Sequence, residues 1–96
     1  MPMLAKVLLN AVTVTGPGAS IDLASLTTNQ TMQVVSSADP HSIVLLEGSL
    51  DNVNFYPMGP VTGTGVLIND TAIAQYVRAN VLSLASGTVT AYLGKQ

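Results

Sequence analysis

The chain has 96 residues, of which 48% are hydrophobic and only 8% are charged. That length allows one domain, spanning 1–96, and that apolar share excludes a disordered charged tail. Three Lys+Arg against five Asp+Glu, a net charge of −2, provide neither a basic face for nucleic acid nor a polybasic membrane anchor.

The absence of cysteine and the single histidine, His41, exclude a disulfide, a thiolate nucleophile and a cysteine- or multi-histidine zinc site within this chain. The opening segment Met1–Val12 has one basic residue and a short apolar run that Asn10 and Thr13 interrupt. No stretch reaches the roughly 20 apolar residues of a membrane span. The segment reads as a strand over Leu4–Thr15 rather than as a secretory signal. Ala5, Val7, Leu9 and Ala11 share its apolar face with Met3. Met1-Pro2-Met3 has nothing evident to pack on in its own domain. This N-terminal strand, residues 1–15, is therefore expected to reach a neighbouring subunit and add to its sheet edge.

Gly16-Pro17-Gly18 ends that strand. A short second strand places Ile21 and Leu23 on one face, and residues 26–30 connect it to a third over Thr31–Ser37. Ala38-Asp39-Pro40-His41 is a turn. Ser42–Leu50 alternates most clearly, with Val44, Leu46, Gly48 and Leu50 on one face. Asp51–Asn54 then reads as a four-residue turn that pairs Leu50 with Phe55. This register turns Phe55 toward the core and Tyr56 and Met58 away from it. Pro57 and Pro60 lack N–H donors, which predicts an edge strand or a bulge. Val66–Asn69 is a short strand, and Asp70–Ala74 has room for one helical turn.

Gln75–Leu84 and Thr88–Leu93 read as a closing hairpin through Ala85-Ser86-Gly87, with Gly87 in the left-handed region. In that register Leu84 meets Thr88, Leu82 meets Thr90, and Asn80 meets Tyr92. Val81 then faces Ala91, and Ala79 faces Leu93. The expected fold is a single antiparallel β-sandwich, jelly-roll-like, of seven or eight strands with little or no helix. Its expected core is Leu46, Leu50, Phe55, Val77, Ala79, Val81, Val89, Ala91 and Leu93. Tyr76, Arg78, Asn80, Thr90 and Tyr92 then share one outward face. That face is the expected protein interface, where Arg78 meets a carboxylate or carbonyl of a neighbour.

Residue types suited to catalysis or metal binding are sparse. Asp39, His41 and Ser42 are the ingredients of a hydrolytic triad, but they crowd within four positions and cannot converge from separate directions. Asp51, Asn52 and Asn54 offer one carboxylate in a turn, with Asp70 a possible second. Calcium usually takes six to eight oxygens, several of them carboxylates. Neither Gly16-Pro17-Gly18 nor Thr62-Gly63-Thr64-Gly65 has the lysine and helix of a phosphate loop. The sequon patterns at Asn29 and Asn69 read as accidental. Tyr56, Tyr76 and Tyr92 could supply a sugar platform, although tyrosine equally suits protein interfaces. No catalytic residue, cofactor or metal is expected. Mean hydropathy is +0.48, so the sparsely charged surface is expected to be covered in an assembly.

Leu46-Glu47-Gly48-Ser49-Leu50-Asp51-Asn52-Val53-Asn54-Phe55-Tyr56-Pro57-Met58-Gly59 resembles the strand, Ser-x-Asp-Gly-x-x-Trp, strand hairpin of discoidin-like (galactose-binding-like) β-sandwiches. Gln75-Tyr76-Val77-Arg78 resembles the Arg-Tyr-Val-Arg strand of the same architecture. Asn52, Phe55 and Gln75 stand where Gly, Trp and Arg are usual. With the Gly87–Tyr92 ending, these segments also resemble small structural proteins of bacteriophage virions, of the head-decoration or tail-accessory type. The resemblance implies a non-catalytic protein made in a bacterial cytoplasm. It would sit on the capsid exterior as a small homo-oligomer, a trimer, bound to the major capsid protein, without nucleic acid or membrane partners. A tail or baseplate accessory protein and a carbohydrate-binding module for cell-surface glycans are the alternatives.

Overall fold

Period-2 alternation of apolar and polar residues carries the chain into two antiparallel sheets packed face to face. The computed structural model describes residues 4–27, 29–70 and 72–95. Among them nine strands form and no helix: β1 (Leu4–Val12), β2 (Gly16–Pro17), β3 (Ile21–Thr27), β4 (Gln30–Ser36), β5 (Ile43–Ser49), β6 (Tyr56–Thr62), β7 (Gly65–Asn69), β8 (Ala74–Ser83) and β9 (Val89–Lys95). One sheet runs β1-β9-β4-β7. The other has β5 between β6 and β8, and the short strands β2 and β3 share the far side of β8.

The inner faces meet in one core. Met32 and Val34 of β4 and Val89, Ala91 and Leu93 of β9 come from the first sheet. Val44 and Leu46 of β5 and Val77, Ala79 and Val81 of β8 come from the second. Seven of the nine expected core residues are buried here, and Leu50 and Phe55 are not. Leu50 is 58% exposed because β5 ends at Ser49, so Leu50 already belongs to the loop.

Phe55 departs for a different reason. Leu46 faces Gly59, as the expected register requires, but Glu47 faces Pro57. Met58 is the extra residue of a β-bulge, which shifts the pairing by one and exchanges the faces. Met58 therefore packs against the core, with Tyr56 beside it over Gly48, and half-buried Phe55 lies on the outside. A Cβ on Gly48 would collide with Met58 Sδ and stand 2.9 Å from Ala74 Cβ, so glycine is what admits these side chains. The two prolines lie on an edge strand that also carries the bulge, as their missing donors require.

The closing hairpin does not form. β8 pairs with β5, β2 and β3, whereas β9 pairs with β1 and β4. Residues 84–88 arch from one sheet to the other, so the expected Leu84–Thr88, Leu82–Thr90 and Asn80–Tyr92 pairs are replaced. Gly87 does take a left-handed φ of +75°. The arch is fastened to Ser37, whose Oγ accepts from Thr88 N–H at 2.8 Å and whose N–H donates to the Thr88 carbonyl at 2.9 Å.

Three other segments also carry expectations. β1 pairs with β9 of its own domain, and its register shifts after Val7 and again after Leu9. These shifts bury both Leu8 and Leu9 and leave Val7 exposed, so Val7 and Leu9 do not share a face. Residues 1–3, assigned above to a neighbour, lie outside the described residues. The expected helical turn over 70–74 includes Thr71, which also lies outside them. Around it, Asn69 Nδ2 donates to the Ala72 carbonyl at 3.0 Å, and β8 has begun by Ala74.

Candidate functional site

The outer face of the five-stranded sheet gathers the most interactive side chains. Glu47 of β5 lies opposite Arg78 of β8, and Arg78 Nε donates to Glu47 Oε1 at 2.7 Å. Asn80, two residues along β8, donates from Nδ2 to Glu47 Oε2 at 3.4 Å. The guanidinium carbon of Arg78 lies 3.9 Å from the centroid of the Phe55 ring, a cation–π geometry. The bulge in β6 turns Phe55 outward to meet Arg78, so the aromatic expected in the core anchors a surface cluster. Arg78 thus finds its carboxylate within its own chain.

Tyr76, Arg78 and Asn80 do share this outward face, at alternate positions of β8. Thr90 and Tyr92 do not join them. They alternate with buried Val89, Ala91 and Leu93 on β9, which faces outward on the opposite side of the sandwich. The expected five-residue interface is therefore divided between two broad faces.

The three tyrosines likewise lie apart. Tyr76 is outside the five-stranded sheet and Tyr92 outside the four-stranded one. Tyr56 lies on the inner side, where its hydroxyl donates to the Ile73 carbonyl and burial raises its pKa. No shared platform results.

Asp39, His41 and Ser42 form no triad. Asp39 Oδ1 accepts from His41 N–H at 2.9 Å, and Oδ2 accepts from Ala85 N–H at 2.7 Å. The carboxylate thus clamps the β4–β5 turn to the β8–β9 arch. His41 is exposed, whereas Ser42 is fully buried and its Oγ has no hydrogen-bond partner among the described residues. Beside them a shallow cleft of about 350 Å³ is lined by residues 36–40 and 62–64, with hydroxyls on both walls.

The Asp51 loop is similarly closed on itself. Asp51 Oδ1 accepts from Val53 N–H at 2.9 Å, Asn54 N–H at 2.8 Å and Ser49 Oγ at 2.9 Å. Oδ2 accepts from Asn54 Nδ2 at 2.9 Å. Asn52 takes a left-handed φ of +61° at the position where the resembled hairpin carries glycine, a conformation asparagine tolerates. Among the described residues, no three His, Cys, Asp or Glu side chains cluster as a metal site would require.

These bonds favour the ionised carboxylates. Asp39 is held below the ordinary range, first by Ala85 N–H and then by His41 N–H. Asp51 is held well below it, first by Asn54 N–H and then by Val53 N–H. The stability each contributes is complete above about pH 4, the ordinary carboxylate range, and is lost as pH falls through its lowered folded-state value. The urea midpoint is therefore expected to fall steeply below about pH 4. Asp51→Asn should lower it at pH 7 and flatten the acid limb.

No protein-family model, curated protein or solved structure matches this chain.

Proposed function

We propose that this chain is a structural, non-catalytic bacteriophage virion protein. In this reading it is a head decoration, or cement, protein that binds the major capsid protein on the capsid exterior as a homo-oligomer. Such a protein bridges neighbouring shell subunits and adds buried apolar area across their joints.

The observation that carries this reading is where the charge goes. The chain has three Lys+Arg and five Asp+Glu. Asp39 and Asp51 serve backbone and neighbouring side chains, Glu47 and Arg78 pair with each other, and Asp22 accepts from Ala24 N–H and Gln75 Nε2. Little charge is left to keep two broad sheet faces hydrated, which suits a protein that works covered. The carbohydrate-binding alternative has less support, because Tyr56, Tyr76 and Tyr92 occupy three different surfaces.

The test is capsid binding. Purified shells lacking the protein are incubated with it, sedimented and heated. Stoichiometric co-sedimentation and a higher shell disruption temperature are expected. Failure to bind shells, with recovery in tail fractions by mass spectrometry, would move the assignment to the tail accessory alternative.

A further inference from the structure

Across the outside of the four-stranded sheet, one cross-strand row runs Val7, Tyr92, Gln33 and Val66, from β1, β9, β4 and β7. Val35 and Ile68 flank it. Val7 is 54% exposed, Val35 42%, Val66 59%, Ile68 71% and Tyr92 38%. Among the residues whose side chains are described, no outward position of β4, β7 or β9 on this face carries Asp, Glu, Lys or Arg. Lys6 of β1 pairs with Leu93, so its side chain leaves the sheet on the same side as that of Leu93 and not on this face.

We propose that two copies of the chain dock through this face. Three physical arguments select a second copy as the occupant. A charged partner would lose hydration here without gaining a counter-charge. The molecule's other broad face carries the Glu47–Arg78 pair, which stacking would desolvate. The same face of a second copy has no charge to desolvate among the described residues, and a two-fold axis makes one patch its own complement.

Size sets the strength of the pairing. The molecule measures 35 × 29 × 20 Å. Its four-stranded sheet projects to roughly 450 Å² at about 4.8 Å per strand and 3.3 Å per residue, the scale of a small, weak interface. A net charge of −2 per copy opposes pairing only weakly. The proposal deepens the reading above and rests on it for the existence of an oligomer. A self-complementary face closes with two copies, so the unit is a dimer rather than the trimer implied by the resemblance.

Sedimentation velocity of the full chain, from micromolar to hundreds of micromolar, tests it. Val66→Lys with Ile68→Lys places like charges across the axis. Leu50→Lys with Val53→Lys, two exposed loop positions away from the face, is the control. The parent and the control are expected to dimerise, and the face variant to need at least 100-fold higher concentration. Circular dichroism checks folding. Should the double variant unfold, Gln33→Arg at the centre of the row supplies the same readout. A parent that stays monomeric throughout overturns the proposal and the oligomer reading together. A parent dimer that survives in the folded face variants overturns the face assignment and leaves that reading standing.

Discussion

Leu46→Ala is expected to lower the free energy of unfolding by about 2–5 kcal/mol, whereas Leu50→Ala should stay within about 0.5 kcal/mol of the parent. Leu46 is fully buried on β5, between β6 and β8, with Val44 beside it on the inner face. Truncation removes its transfer free energy and opens a cavity between the sheets. Met58, unbranched and only partly buried, can relax toward that space and recover a fraction of the loss. A domain of this length has about 5–14 kcal/mol of stability in all, so the substitution removes a large share. Leu50 is 58% exposed and loses little by truncation. Urea unfolding followed by far-UV circular dichroism measures both. Equal costs would mean that Leu50 reaches the core and that β5 continues past Ser49.

The difference between these leucines marks how far the sequence could be read. Within a strand the period is 2, so Val44 and Leu46 on β5, and Val77, Ala79 and Val81 on β8, announce their buried face without reference to any other strand. Both strand and core were legible there. A bulge breaks that logic, because one inserted residue reverses every face beyond it. Pro57 and Pro60 signalled an edge or a bulge, but not that Met58 would be the extra residue. The pattern alone therefore puts Tyr56, Met58 and Phe55 on the wrong sides and hides the Phe55–Arg78–Glu47 cluster.

The error at the chain's end has another origin. Two amphipathic strands joined by a short glycine-containing loop have the same local pattern whether they pair in one sheet or arch between two. Gly87 needs a left-handed φ in either case. The choice rests on which edges are already occupied. β8 is flanked by β5 on one side and by β2 and β3 on the other, while β9 fills the space between β1 and β4. Those pairings span much of the chain, and no window around Gly87 contains them. The Asp39 clamp on Ala85 was hidden for the same reason, since its partner lies 46 residues away.

Arg78→Ala is expected to cost about 2–3 kcal/mol, more than Glu47→Ala, and the double variant should cost less than the sum. The asymmetry follows from exposure. The side chain of Glu47 is 13% exposed and that of Arg78 is 27% exposed. Without Arg78, the less hydrated carboxylate keeps, among the described residues, the 3.4 Å contact from Asn80 Nδ2, and Phe55 loses the cation over its ring. Without Glu47, the guanidinium still lies over Phe55 and can turn toward water. Glu47→Gln in the Arg78→Ala background removes the stranded charge and should recover part of the loss. Phe55→Ala alone should cost about 1–2 kcal/mol, through lost stacking and half-buried area, and should reduce the measured Glu47–Arg78 coupling by loosening the guanidinium. Urea unfolding of the single and double variants at pH 7 closes the cycle. Additive costs would show that the pair is solvated and contributes nothing to the sheet. A coupling of about 1 kcal/mol or more would make this cluster the brace that ties β5 and β8 to the β6 edge.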